Sequence, residues 1–358
     1  MRFSLFYNFD VHPEQVTTTL YQEVEAQAIA ADISGFDAIW LAEHHFAAYG
    51  RMPSSLLYLA HLSGLTQHIE LGTAVVEASL YNPLRLAEDV ALLDELSGGR
   101  LRLGIGSGSA RKSEEFAQFG VPLEEKTSRM LEIAETLRQA FDERRIDFQG
   151  RHYQYRDVSL QPQSRRAASQ LLWLAANGST ARIAGQQGYG LLVPRVGQFE
   201  QHRQLITDYR QVLAGKRGHV SVLRFVFVAE TLEEAQFQTN KAIARYAQFD
   251  CGITWDGRTD TREYQDILQR LNVILGTPEQ VALQLQACQE QLSFEEIMCQ
   301  VHAAGIEHED ALKSIQLLGR EVIPSLQPTP PVRSQLEASA IKPKRQSLRP
   351  RQQQRLWA

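Results

Sequence analysis

From residue 2 to about residue 325, short apolar runs alternate with amphipathic segments of helical length. Runs at residues 2–8, 37–42, 69–76, 101–106, 171–176, 190–194, 221–228 and 296–302 read as buried strands, since each is short, apolar and bounded by polar or glycine-containing stretches. The segments between them carry helix signals. Asn82-Pro83 offers a cap and a first-turn proline, and Leu86, Val90 and Leu93 form a stripe that ends at Gly98-Gly99. A second helix, about residues 125–143, places Met130, Ile133, Ala134, Leu137 and Phe141 on one face. Eight strands alternating with helices, without a break in composition, predict a parallel (β/α)8 TIM barrel; a doubly wound open sheet is the alternative.

Three stretches depart from the repeat. Residues 146–165 predict a small hairpin or extended insertion, and residues 249–277 read as a long polar excursion of the kind that closes over a barrel as a lid. Residues 328–358 hold Arg333, Lys342, Lys344, Arg345, Arg349, Arg351 and Arg355 against Glu337. The net charge of −5 therefore divides into +6 there and −11 in residues 1–327. This basic segment is rich in Pro, Gln and Ser, cannot offset the entropy of ordering, and is expected to be a disordered tail behind one barrel domain of residues 1–327. It lacks the interleaved aromatics of a nucleic-acid tether. Cys251, Cys288 and Cys299 form neither a metal spacing nor a disulfide framework, and no apolar run approaches a membrane span. A cytoplasmic protein without nucleic-acid or membrane partners is expected.

Candidate chemistry clusters where strands give way to loops. Glu43-His44-His45-Phe46 follows the apolar run Asp37–Ala42, at the strand edge where barrels place their reactive groups, and a carboxylate beside imidazoles there can position a proton near neutral pH. A helix cap or a pair of satisfied histidines is the plainer alternative. The fourth strand ends in Gly104-Ile105-Gly106-Ser107-Gly108, which lacks dinucleotide spacing. Asn177-Gly178-Ser179-Thr180 opens a helix after the fifth strand and could hold an anion or simply cap the helix. Arg129 lies near a helix N-terminus, a poor place for a cation unless a phosphate, or Glu124 or Glu125, pairs with it. No metal site is predicted. Trp173, Arg195 and Phe46 are candidates for lining a substrate pocket, or for core and rim.

These pieces, taken in order, resemble the bacterial luciferase-like, flavin-dependent monooxygenases. The matching segments are Ala42-Glu43-His44-His45-Phe46, Leu71-Gly72-Thr73-Ala74-Val75, Asn82-Pro83 with Arg85, Gly104-x-Gly106, Gly178-Ser179, Leu275-Gly276-Thr277-Pro278 and Gly305-x-x-His308-Glu309. The resemblance implies a barrel that binds FMN at its C-terminal mouth. Reduced FMN, supplied by a flavin reductase, would react with oxygen to form a C4a-peroxyflavin that attacks a small lipophilic substrate such as an aldehyde. It also implies that His44 is the catalytic acid or base and that Glu43 orients the flavin. Ala74-Val75 would be a non-proline cis peptide beneath the ring, with Gly106 and Ser107 at the cofactor. Arg129, Asn177, Gly178, Ser179 and Thr180 would hold the phosphate. The light-emitting luciferase subunit carries a cysteine and an arginine where this chain has Gly106 and Ser107, so the resemblance implies either weaker phosphate binding or compensation by Arg111 or Lys112. A homodimer through residues 54–64 and 83–97, with Leu57 and Leu92 at the contact, is expected. A deazaflavin-dependent oxidoreductase or a non-catalytic flavin-binding subunit are the alternatives.

Overall fold

The computed structural model describes residues 1–11, 14–47, 50–109 and 113–327. In chain order, β1 (Arg2–Tyr7), α1 (Thr17–Ile33), β2 (Ala38–Leu41), α2 (Ser55–Leu65), β3 (Glu70–Glu77), α3 (Pro83–Leu96) and β4 (Leu101–Gly106) form the first half of the barrel. After α4 (Ser113–Gln118) and α5 (Lys126–Arg138) comes an antiparallel hairpin, β5 (Ile146–Gln149) and β6 (Gln154–Val158). Then follow α6 (Ala168–Leu171), β7 (Leu172–Ala175), α7 (Gly178–Gln187), β8 (Gly190–Val193), α8 (Phe199–Gln211) and β9 (Val220–Val228). The remainder is α9 (Leu232–Cys251), α10 (Arg262–Arg270), β10 (Val273–Gly276), α11 (Pro278–Leu292), β11 (Glu296–Gln300) and α12 (His308–Leu317).

Parallel pairing runs β1-β2-β3-β4-β7-β8-β9-β11 and returns to β1, which closes an eight-stranded (β/α)8 barrel. Each barrel strand falls on a predicted apolar run, and the hairpin falls within the predicted insertion. The Asn82 side chain caps α3 by accepting from Leu84 N and Arg85 N at 3.0 and 3.2 Å. The predicted tail, residues 328–358, lies outside the described residues, as do Arg111 and Lys112.

The excursion at residues 249–277, expected to be polar and lid-like, carries more regular structure than its sequence suggests. This stretch ends in a ninth strand, β10, which pairs with the second half of β9 from Val273 opposite Phe225 to Gly276 opposite Val228. Before it, α10 buries Tyr264 and Ile267, and Trp255 stacks on Tyr264 at 5.0 Å. The Asn272 amide donates to Arg195 O at 2.8 Å. Backbone pairing at Val273–Gly276 and the buried aromatics Trp255 and Tyr264 anchor these parts of the segment to the barrel wall.

The barrel interior is layered, which decides where a ligand can enter. At the N-terminal end, the fully buried Glu296 carboxylate accepts from Arg102 Nη1 at 2.7 Å, Trp40 Nε1 at 2.9 Å and His219 Nε2 at 3.1 Å, and also from Ser4 Oγ. Above this plug, Trp40 and Trp173 meet edge to face at 5.2 Å. They fit because Gly72 and Gly190 lack side chains: a Cβ would come within 2.2 Å of Trp40 and 2.1 Å of Trp173. Trp173 is thus barrel core. The C-terminal mouth above it is lined by Phe6, Leu192 and Met298, with Ala74 and Val75 packed against them.

Candidate active site

Glu43 and His44 leave β2 at the C-terminal mouth and face different partners. The buried Glu43 carboxylate accepts from Tyr81 Oη at 2.9 Å, Ser55 Oγ at 3.1 Å, Glu77 N at 3.2 Å and Ser55 N at 3.4 Å, with His45 Nε2 also at 3.4 Å. Glu43 thereby ties the end of β3 and the start of α2 to the end of β2. Burial, followed by the Glu43 carboxylate, pushes the Tyr81 phenol well above its ordinary pKa, which keeps it protonated and donating. Burial alone would lower the His45 pKa, but the hydrogen bond and charge of Glu43 outweigh it and the pKa is raised.

His44 is half-buried. Its Nε2–H donates to Asn8 Oδ1 at 2.9 Å, and its main-chain N–H donates to Met52 O at 2.9 Å. Gly50 passes so close that a Cβ there would lie 2.2 Å from His44 Cδ2, and Gly50 also has φ +68°, so glycine suits both demands. The ring is held from two sides. With the proton on Nε2, the basic atom is Nδ1. Phe46 is 75% exposed and packs on Phe119 at 5.5 Å, forming an apolar rim.

Beside this cluster the Ala74–Val75 peptide bond is cis. It borders a cavity of about 170 Å³ whose walls include Phe6, Val75, Ala175, Leu192, Leu223 and Met298. Gly106 keeps the adjoining space open, because a Cβ there would come within 2.6 Å of Val75 Cγ2 and 3.4 Å of Ala175 Cβ. An apolar space bordered by a backbone amide suits an aromatic ring system.

At the edge of this space, Lys126 Nζ donates to Ser107 Oγ at 3.2 Å and to Gly108 O at 2.9 Å. Lys126 is absent from the sequence candidates, although the reasoning that singled out Arg129 applies to it with more force. It is the first residue of α5, where a cation opposes the macrodipole. Arg129, one turn on, pairs with Glu125 at 2.8 Å and lies over Tyr153 at 5.9 Å, so of the two readings open for it the structure contains the carboxylate pair.

At the start of α7, Asn177 Oδ1 accepts from Ser179 N at 3.1 Å, Thr180 N at 3.0 Å and Ser179 Oγ at 2.9 Å. Thr180 Oγ1 donates to Ala175 O at 2.6 Å. Two backbone donors expected to face an anion are therefore taken by the cap, while Gly178 and the Ser179 hydroxyl lie at the exposed helix start. Arg195 pairs with Asp250 at 2.7 Å and stacks on Tyr246 at 4.4 Å. Among the described residues no group of three His, Cys, Asp or Glu is arranged to hold a metal ion, and no helix is long and apolar enough to cross a membrane.

Comparison with known proteins adds to this geometry. The family described as luciferase-like monooxygenase matches residues 1–295. The oxygenase component of the flavin-dependent trigonelline monooxygenase of Acinetobacter baylyi is 24% identical over 95% of this chain and 100% of its own length. Monooxygenase RslO1 from Streptomyces bottropensis superposes with a TM-score of 0.82 at 23% identity, over 91% of this chain and 100% of the other. The oxygenating constituent of 3,6-diketocamphane monooxygenase from Pseudomonas putida, solved with FMN, gives 0.76 at 18% identity over 92% and 99%. The coenzyme F420-dependent tetrahydromethanopterin reductase from Methanopyrus kandleri gives 0.68 at 18% over 91% and 99%. At these identities the structural matches speak for the fold.

Proposed function

The chain belongs to the luciferase-like monooxygenase family, and from that premise we propose that it is an FMN-dependent monooxygenase that inserts one atom of oxygen into a small organic substrate. The carrying observation is the meeting, at one barrel mouth, of the restrained His44 imidazole with the apolar cavity beside Ala74–Val75. The residues at this mouth fit the group. The cavity and the bare Gly106 suit the isoalloxazine ring, Glu43 fixes the frame around it, and Lys126, Ser107 and the exposed start of α7 at Gly178 and Ser179 suit the phosphate, with Asn177 and Thr180 capping that helix. When bound, reduced FMN supplies the electrons with which O₂ is divided, one atom entering the substrate and the other leaving as water. His44 Nδ1 takes or returns a proton at the reacting centre while Asn8 holds Nε2. The apolar walls exclude water from it.

A flavin reductase supplying reduced FMN fits the oxygenase-component description of the Acinetobacter relative. A cytoplasmic location goes with that partner. The deciding experiment is anaerobic titration with reduced FMN followed by admission of oxygen, with oxygen uptake and product measured. Preference for a deazaflavin without oxygen uptake would make the chain a hydride-transfer enzyme. FMN binding with no turnover of any substrate would make it a flavin-binding subunit.

Lys126→Ala is expected to weaken FMN on the order of 10- to 100-fold while leaving riboflavin nearly unchanged, since a charge-assisted contact to phosphate contributes about 1.5–3 kcal/mol. Arg129 lies on the same face of α5, three residues on, and joins the phosphate by exchanging Glu125 for it. Arg129→Ala should therefore act in the same direction but less. Equal losses of FMN and riboflavin affinity in fluorescence titrations would remove the phosphate assignment.

A homodimer through α2 and α3 completes the reading. Leu57 is 74% exposed and Leu96 61%, and with Leu92 they border a groove of about 360 Å³ between the two helices. An exposed row of leucines of this kind is covered by a second copy. Sedimentation should give a dimer at micromolar concentration and a monomer for Leu57→Glu with Leu92→Glu. A wild-type monomer contradicts it.

A further inference from the structure

Past the end of β1 and against α9 lies a second cavity of about 90 Å³, lined by Asn8, Asp10, Arg245, Tyr246 and Phe249. Asn8 joins it directly to the imidazole, through the 2.9 Å contact to His44 Nε2. Asp10 is only 3% exposed. Its Oδ2 accepts from Tyr246 Oη at 2.9 Å and Ala304 N at 3.3 Å, whereas the buried Oδ1 has no hydrogen-bond partner among the described residues. A buried carboxylate oxygen normally finds a donor in the folded protein, so an unpaired one on a side chain that lines a cavity points to a donor that arrives from outside.

Among the described residues no cation pairs with this carboxylate. The neighbouring His302 is kept from charging by burial, which lowers its pKa against the pull of Asp10. Tyr246 is fixed behind Asp10, since it accepts from Gln300 Nε2 at 2.6 Å and carries Arg195 on its face at 4.4 Å. The carboxylate is thus presented in a set orientation.

Arg245 faces the same cavity with the complementary need. It is half-buried and, among the described residues, makes no hydrogen bond or ion pair, while Phe249 lies one turn further along the same face of α9. Asp10 and Arg245 share the cavity without forming an ion pair with each other. A ligand with both charges would satisfy both groups; a plain alkyl chain would strand them.

We propose that Asp10 and Arg245 form a substrate subsite for an amphoteric compound, one that carries a cationic nitrogen for Asp10 and a carboxylate for Arg245, with its apolar body toward the cavity beside Val75. This rests on the reading of the mouth as the oxygenation site. It narrows the substrate class from a lipophilic compound to a polar one.

The test is calorimetric binding, with and without FMN, of four matched probes: phenylalanine, 2-phenylethylamine, 3-phenylpropanoate and 3-phenylpropanal. Phenylalanine should bind at least about tenfold tighter than either singly charged probe, and 3-phenylpropanal weakest. Asp10→Asn should erase the advantage conferred by the ammonium group and leave 3-phenylpropanoate unaffected; Arg245→Gln should do the converse. Since Arg245 is half-buried on a helix surface, its variant should fold even if the Asp10 variant does not, and the wild-type ranking stands alone. Four affinities within a factor of about three, or 3-phenylpropanal binding tightest, overturn the subsite. Oxygen uptake with reduced FMN on the same preparation separates the two questions. Uptake without charge discrimination removes only the subsite, and charge discrimination without FMN binding or uptake removes only the oxygenase reading.

Discussion

His44→Ala should bind FMN as the wild type does and turn over substrate about 10²–10⁴-fold more slowly, the usual contribution of a positioned acid or base. That loss corresponds to about 3–5 kcal/mol of transition-state stabilisation. The expectation rests on how much of the local structure serves to hold one ring. Asn8 takes Nε2–H, Met52 takes the main-chain N–H, and Gly50 gives up a side chain so that the backbone can pass against Cδ2. A surface histidine needs none of these. Asn8→Ala, which releases the ring without removing it, should lower turnover by a smaller factor and leave FMN affinity alone. Stopped-flow turnover and flavin titration measured side by side decide the matter. Unaltered turnover in His44→Ala would take the imidazole out of the mechanism.

The eight barrel strands were readable because parallel strands are covered on both faces and so appear as short, continuous apolar runs. Strand β10 escaped for the opposite reason. Its four residues Val273–Gly276 follow α10, where only Tyr264 and Ile267 are buried, and a short run inside a polar stretch reads as loop. Glu43-His44 was visible because both residues follow β2 directly. The partners of Glu43 were not, since Ser55, Glu77 and Tyr81 come from 12 to 38 residues away and meet only when β3 and α2 pack beside β2. Lys126 was in plain view, but its contact with Ser107 depends on how α5 returns over the end of β4. The empty oxygen of Asp10 has no sequence signature at all, because it follows from what Tyr246 and Ala304 leave over.

Glu296→Ala should destabilise the fold by about 3–5 kcal/mol, because it leaves a buried guanidinium without its carboxylate. Total stability of 5–15 kcal/mol is typical, so such a loss approaches global unfolding at physiological temperature. Arg102, with its side chain 5% exposed, would keep only Glu70 at the edge of the plug, and Trp40 Nε1, His219 and Ser4 would all lose their shared acceptor. Replacing Arg102 and Glu296 together by methionine and leucine should recover much of the loss, since a pair of apolar groups of similar volume needs no desolvation of charge. The pair also sets the acid limit of the protein. Burial alone would raise the Glu296 pKa, but the Arg102 guanidinium, helped by His219 and Ser4, holds it well below the ordinary carboxylate range. In the unfolded chain it titrates near 4.3. A carboxylate depressed in the folded state contributes stability that is fully present above the unfolded pKa and is lost as pH falls toward the folded one. Wild-type stability should therefore decline from about pH 5 downward, and Glu296→Gln, already weakened at pH 7, should decline less steeply over the same interval. Urea unfolding at pH 7, 5, 4 and 3 reads both effects; an identical slope in the two proteins would show that the Arg102–Glu296 pair does not carry the acid sensitivity.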